Sequence, residues 1–301
     1  MNKLLKFLDN TFLDLGRQFK WSYLPPLMVY VAAGISGLTG IVGTINETNS
    51  LIGSLGGDSI GSGSIVELTN GNYVLSTPGW NSNSFLSVGA ATLLDGSSSL
   101  TGVITITNSN SLTGVSQYDS VSSGGITALS NGNYVIDSGK AVTWADGDAG
   151  VVGNISSSNS LLVPTTYGGV TALPSGNYLV SAPSTDIPVG WGSRQNVGAV
   201  YWVNGSTGIV GSTIKGTVEH ASIGESTFNL SNGDVVVYGF GRPYVVIDEE
   251  TGQGIGIPYS SSTGFVELGN GDLIVSNSTS NVNAGKISYV STKFDQLSSA
   301  R

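Results

Sequence analysis

The 301-residue chain has no cysteine, one histidine, two methionines, and only 11 Lys and Arg against 20 Asp and Glu. Each shortage removes a class of chemistry. Without cysteine there are no disulfides, thiolate nucleophiles or thiolate metal sites. His220 is the one candidate base for a Ser-His-Asp relay. Its surroundings, Val218-Glu219-His220-Ala221, carry no nucleophile-elbow sequence, so it reads as a loop histidine. No metal site and no cofactor are expected. A net charge of −9 with so few cations argues against a nucleic-acid groove, which needs Lys and Arg to displace counterions. The pairs Gly56-Gly57 and Gly124-Gly125 are not followed by Lys-Ser/Thr, so they are not phosphate loops.

What the chain does have is glycine, 44 residues of it, a heavy load of Ser, Asn and Thr, and 39% hydrophobic residues, enough for a core. One stretch organises it: Leu129-Ser130-Asn131-Gly132-Asn133-Tyr134-Val135. Degraded copies run from Leu68 to Val74, Leu173 to Leu179, Leu230 to Val236 and Leu268 to Ile274. Asn-Gly between apolar-patterned runs predicts a hairpin with a type I′ turn, both central residues at positive φ. Around each copy lie four strand signals: one before the turn, one after it, an aromatic-tipped third (Ala90 to Leu93, Ala141 to Trp144, Ala199 to Trp202, Tyr244 to Ile247, Lys286 to Tyr289), and a fourth leading to Asn-Ser-Leu at Asn49, Asn110 and Asn159.

The turn glycines, Gly71, Gly132, Gly176, Gly233 and Gly271, are spaced by 61, 44, 57 and 38 residues. Four-strand repeats of about 40 to 50 residues predict propeller blades. The last repeat stops after its third strand, and Thr39 to Leu51 reads as a fourth strand. Together they complete a blade and close a ring of five, which removes exposed sheet edges. The expected fold is therefore all-β, a five-bladed β-propeller over residues 37–301. A β-solenoid or open repeat array is the alternative.

Residues 1–36 differ. Leu4, Leu5, Leu8, Phe12, Leu15 and Phe19 recur at helical spacing, and no charge occurs from Trp21 to Asn46. The segment reads either as a membrane anchor, with membrane contact through residues 3–38, or as a signal peptide with a small-residue site at Val31-Ala32-Ala33. A third reading, a fusion remnant, rests on Thr39-Gly40-Ile41-Val42-Gly43 being identical to Thr207-Gly208-Ile209-Val210-Gly211.

The motifs LSNGNYV, GAVYW and NSL resemble a bacterial surface-protein repeat of unknown function found in haemagglutinin-like adhesins. The run GNYLVSAP…GAVYW is distantly similar to the FG-GAP repeat of integrin-type propellers. No D-x-D-x-D-G run accompanies it, so that family's calcium site does not carry over. Residues 1–44 resemble the start of a major-facilitator-type transporter, but nothing after residue 44 has the apolar runs that further spanning helices need. The resemblance implies a protein at the cell surface or outside the cell.

Two sets of candidate site residues follow. Trp80 and Trp191 sit in long loops, Pro78 to Val88 and Pro183 to Val197, beside Gly, Asn and Ser, with Arg194 near the second. Aromatics there suit stacking on a sugar face or a protein partner. Asp137, where other repeats have Ser76, Ser181, Tyr238 and Ser276, and Asp248 with Glu249 break the repeat. A carbohydrate-cleaving enzyme needs two carboxyls about 5 to 10 Å apart. The expected function is a non-catalytic, surface-displayed adhesin-like binding or structural module, with carbohydrate or protein as partner. The alternative is a hydrolase or lyase using those carboxylates in the propeller channel. Trp144 and Trp202 recur at equivalent positions and read as packing between repeats.

Overall fold

The computed structural model describes residues 46–48, 50–54, 57–98, 101–163, 168–190, 192–239, 242–257, 263–277 and 286–292. Residues 1–45, and with them the anchor, signal and transporter expectations, lie outside the described residues, as does Trp191. The described residues form strands and no helix.

Five units repeat along the chain, each built on an antiparallel meander of three strands. Unit I is Ile65–Glu67, Tyr73–Thr77 and Ala90–Leu94; unit II is Gly125–Ala128, Tyr134–Asp137 and Ala141–Ala145. Unit III is Gly169–Ala172, Tyr178–Ala182 and Ala199–Val203. Unit IV is Ser226–Asn229, Val235–Gly239 and Arg242–Ile247; unit V is Thr263–Glu267, Leu273–Asn277 and Lys286–Val290. A half-unit, Leu51–Gly53, precedes them.

The middle strands of units I and III are buried along their whole length. Each has a neighbouring sheet on both faces, which is why its sequence is nearly continuous in apolar or small residues rather than alternating. The core is a series of apolar layers, each shared by two neighbours. Leu51, Ile60, Leu75 and Ile106 join the half-unit to unit I; Leu68, Val74, Leu112, Tyr134 and Ile136 join I to II. Val135, Val142, Tyr178 and Val180 join II to III; Leu179, Val200, Trp202, Val235 and Ile247 join III to IV; Val236, Val246, Leu273 and Val275 join IV to V. Full burial of one such Val, Leu or Ile stabilises by roughly 1.5–3 kcal/mol.

The hairpins form where the Asn-Gly motif places them, but not as type I′ turns. In every unit the N–H of the turn glycine donates to the leucine carbonyl three residues back, as Gly71 does to Leu68 at 2.9 Å and Gly132 to Leu129 at 3.2 Å. Only the glycine has positive φ, 88° at Gly71 and 93° at Gly132. This is a three-residue loop, a type I turn closed by a left-handed glycine. Asn70, Asn131, Asn232 and Asn270 keep ordinary φ and instead accept, through Oδ1, the N–H two residues on. That Asx geometry is the local reason for asparagine there.

The fourth strand also departs from expectation. In units III and IV it returns to its own third strand, Val210–Lys215 and Gly254–Gly256. In units I and II it leaves its own sheet. Gly102–Ile104 pairs in parallel with Leu51–Gly53, and Gly153–Asn154 pairs in parallel with Leu112–Thr113. The Asn-Ser-Leu segment is a strand of its own. Leu112–Thr113 and Leu161–Leu162 add to the third strands of units I and II. Unit I's sheet thus has five strands, the outermost from unit II. Among the described residues Leu51–Gly53 pairs with Gly102–Ile104, and Lys286–Val290 pairs with Leu273–Asn277 alone. Most of the expected closing strand, Thr39 to Leu51, lies outside the described residues.

Candidate functional site

The recurring polar residues meet at the junctions between units. Asn72, Asn133 and Asn177 follow the turn glycines. Each accepts, through Oδ1, an N–H from the turn after its own unit's third strand: Gly96 at 3.1 Å, Gly147 at 3.1 Å and Gly205 at 3.0 Å. Each donates, through Nδ2, to the same turn of the next unit: to the carbonyls of Gly147 at 2.9 Å, Gly205 at 2.8 Å and Glu249 at 3.1 Å. Trp144 and Trp202 reinforce the joint, their Nε1–H groups donating to the Gly205 and Glu249 carbonyls at 2.8 and 3.0 Å. One side chain thus satisfies two turns, since an amide donates through its nitrogen and accepts through its oxygen at once. Units IV and V carry Asp234 and Asp272 instead. Those carboxylates accept from Glu249 and Thr292 N–H at 3.3 and 3.0 Å but donate nothing.

The Asn-Ser-Leu triplet is explained in the same way. Asn110 and Asn159 close their turns by accepting from Thr107 and Ser156 N–H and donating to the Thr105 and Asn154 carbonyls, all at 2.9 Å. Ser111 and Ser160 pair with the hydroxyls of Thr92 and Thr143 at 2.7 Å. Leu112 is fully buried.

The carboxylate candidates are engaged in turns. Asp248 Oδ1 accepts from Glu250 N–H, Thr251 N–H and the Thr251 hydroxyl at 3.1, 2.7 and 2.8 Å. Glu249 stands where other units have Gly96, Gly147 and Gly205. A Cβ at those three would lie 1.6, 1.9 and 1.7 Å from the carbonyl oxygens of Gly71, Gly132 and Gly176. Its side chain reaches into unit III, Oε2 accepting the Ser175 N–H at 2.8 Å. Asp137, 8% exposed, accepts the Gly139 N–H at 2.8 Å. It ends the strand whose other end, Tyr134, starts beside the Asn133 joint, whereas Asp248 and Glu249 lie at the joint end of unit IV. The two positions are therefore separated by a strand length, roughly 10 Å at about 3.3 Å per residue, and by an intervening unit.

Among the remaining acids, hydrogen bonds from Ala149 and Asp148 N–H hold Asp146 below the usual carboxylate range. The Tyr289 hydroxyl and Thr292 N–H do the same for Asp272. Burial pushes Asp234 up, and burial pushes the Tyr134 and Tyr178 phenols well above their ordinary value. His220 is an exposed loop residue at φ 58°, its N–H bonded to the Gln195 carbonyl at 2.9 Å. Among the described residues there is no cluster of His, Asp and Glu fit for a metal ion.

Trp80 lies in a cleft of about 400 Å³ between the half-unit and unit I. Its backbone is fixed on both sides, N–H to the Thr77 carbonyl and carbonyl to the Gly89 N–H, each 3.1 Å. Its ring packs partly on the Leu51, Ile60 and Ile106 layer. Ser54, Asp58, Asn83, Thr107, Asn108 and Asn154 surround it, a largely uncharged set of hydrogen-bonding groups. Arg194, exposed, belongs to a hairpin, Ile187–Val189 with Gly192–Arg194, and its Nη1 donates to the Thr217 carbonyl at 2.7 Å. Trp80 and Arg194 belong to units I and III, with unit II between.

A family described as a repeat of unknown function, DUF5650, matches residues 33–62, 67–123, 128–170 and 172–217. The chain belongs to this repeat family. Three of the matched blocks begin at or beside the Asn-Gly turns, so the family's frame is the unit described above. No curated protein matches. Similar solved structures include a protein of unknown function from Bacteroides caccae, 19% identical over 50% of this chain and 51% of that one, with a TM-score of 0.29. The WD40 β-propeller domain of Doa1 is 16% identical over 76% and 63%, at 0.30. The extracellular domain of a one-component system from B. thetaiotaomicron is 14% identical over 77% and 29%, at 0.35. The chain thus spans about half the length of the first and under a third of the last. The adhesin and transporter resemblances have no counterpart among these relatives.

The joint asparagines were not singled out as functional in the sequence. The signal was present: asparagine recurs directly after the turn glycine in units I to III, and aspartate in IV and V.

Proposed function

We propose that the protein is a non-catalytic repeat scaffold displayed outside the cytoplasm, and that it binds carbohydrate at the Trp80 cleft. The observation that carries this reading is the use of the repeated polar residues. They are engaged in joining one unit to the next, so the motif shared by all units is mechanical, and recognition falls to the loops that differ. A tryptophan held by its backbone in a cleft of hydroxyl and amide groups suits a sugar ring, with one apolar face and polar edges. In the same reading the outer edge of Lys286–Val290 and the third-strand side of Leu51–Gly53 come together to close a five-bladed ring, and residues 3–38 hold the scaffold at a membrane.

A glycan binding screen on the full chain, with product analysis of every hit, tests the reading. Binding without cleavage, lost in Trp80→Ala, supports it. Cleavage overturns it in favour of a carbohydrate-active enzyme and makes Asp137, Asp248 and Glu249 the next variants. Binding that survives Trp80→Ala moves the site elsewhere, with Trp191 and Arg194 the next residues to change.

A further inference from the structure

The fourth strands of units I and II are lent to the unit before, and that of unit III is the first to stay with its own sheet. At the junction of units I and II, the fourth strand of unit II crosses the rim and adds to the outer edge of Leu112–Thr113. The Gly153 N–H donates to the Ser111 carbonyl at 3.1 Å and the Ile155 N–H to the Thr113 carbonyl at 2.9 Å. Val151 and Ile155 pack into the shared apolar layer. At the junction of units II and III the receiving strand is present. Leu161–Leu162 pairs with the third strand of unit II, and the Val163 N–H bonds the Lys140 carbonyl at 2.8 Å. The fourth strand of unit III, however, folds back on its own sheet.

Among the described residues nothing pairs with the outer edge of Leu161–Leu162. Ser160 and Leu162 occupy the places of Ser111 and Thr113, so their carbonyls and the Leu162 N–H face outward. Leu162 is 50% exposed and Ile209 66%. Beside this edge, between the two units, lies a cavity of about 510 Å³ lined by Trp144, Leu161, Tyr178, Ile209 and Val210.

The sequence holds a segment whose pattern fits this edge. Ile41-Val42-Gly43-Thr44-Ile45 matches Val151-Val152-Gly153-Asn154-Ile155 in character at every position, and each stands the same distance before its Asn-Ser-Leu. Residues 41–45 of the same molecule cannot reach unit II. Residue 46 follows at once, leading into the half-unit two junctions away, roughly 20 Å at about 10 Å per packed sheet.

We propose that the edge of Leu161–Leu162 takes residues 41–45 of a second copy of this chain as a parallel strand. The Gly43 N–H donates to the Ser160 carbonyl and the Ile45 N–H to the Leu162 carbonyl, while Ile41 and Ile45 fill the cavity. Main-chain pairing supplies affinity and the two isoleucines supply register. Reciprocal exchange gives a closed dimer; one-way exchange gives a filament. This proposal stands apart from the carbohydrate reading.

Sedimentation velocity on the full chain tests it, with two variants. Leu162→Pro removes the outward N–H at the receiving edge, and Ile41→Asp/Ile45→Asp spoils the donated segment without touching the described strands. The full chain is expected to self-associate, each variant to associate about 100-fold more weakly, and an equal mixture of the two variants to recover a heterodimer. A labelled peptide of residues 39–47 is expected to bind the Ile41→Asp/Ile45→Asp protein. This measurement keeps the test decisive if Leu162→Pro fails to fold. A full chain that stays monomeric at micromolar concentration, association indifferent to either variant, or a peptide that does not bind would each overturn the proposal.

Discussion

The two halves of the array are joined by different chemistry. From the half-unit through unit II, an Asn-Ser-Leu strand follows each unit and the fourth strand is lent to the unit before. From unit III onward, the fourth strand stays at home. A single position marks the change. Thr92 and Thr143 on the third strands hold the serine of the triplet, whereas unit III has Tyr201 there, paired with Thr213 of its own fourth strand. The joint side chain changes one unit later, from Asn72, Asn133 and Asn177 to Asp234 and Asp272. The comparison teaches that one hairpin module can be stitched by exchanging strands or by packing and side-chain hydrogen bonds, provided the turn geometry is kept.

The most severe way to break the second half is Trp202→Ala. Trp202 is 6% exposed and donates across the junction from unit III to unit IV. The loss is expected to be about 4 kcal/mol, read from urea unfolding, with the transition splitting if units IV and V unfold first. A smaller effect is expected from giving the first half the chemistry of the second. Asn133→Asp removes the donor to the Gly205 carbonyl and sets a carboxylate against it, costing about 2 kcal/mol at neutral pH. The loss shrinks at acid pH, where the carboxyl is protonated and donates again.

The reverse exchange, Asp234→Asn, has the smallest effect and the opposite sign. Burial raises the Asp234 carboxyl, so the folded state resists its ionisation. Its contribution to stability is fully present at low pH and declines as pH rises from the unfolded carboxylate range, near 4, through the raised folded value. The neutral variant lacks that decline. It is expected to gain on the parent at neutrality and little below pH 4, measured as the difference between urea midpoints at the two pH values.

Strands and turns were legible because their signals are local. The Leu-x-Asn-Gly run, with serine for asparagine at Ser175, marks the hairpin of every unit, and the third strands fall where the aromatic-tipped segments are. The turn type was not, because Asn-Gly serves both the two-residue and the three-residue loop. What decides is the Asx bond from the asparagine to the residue two on, seen at Asn70 and Asn131. Partner choice was not legible either. The pairing of Gly102 with Leu51 joins residues far apart along the chain, and nothing in Gly102-Val103-Ile104 distinguishes a strand that stays from one that leaves. Of the candidate site residues, Trp80 was placed correctly in a loop, but the cleft around it depends on Ser54 and Asn154, which belong to other segments. Asp248 and Glu249 stood out in the sequence because they interrupt a pattern. The structure gives the interruption a local role, since Glu249 reaches the Ser175 N–H where a glycine carries no side chain.

The joint made by Asn72, Asn133 and Asn177 points one way. Each hands an amide proton forward, to the unit that follows, and none donates to the unit before. The couplings therefore work like identical rail couplers, all facing the same direction. Excising a whole unit, turn to turn, brings the hook of one unit to the eye of the next but one with its chemistry intact. Excising any other length mates a hook with something that is not an eye. Gene segments built on this plan can lengthen or shorten by whole units through recombination and keep each joint's donor facing an acceptor.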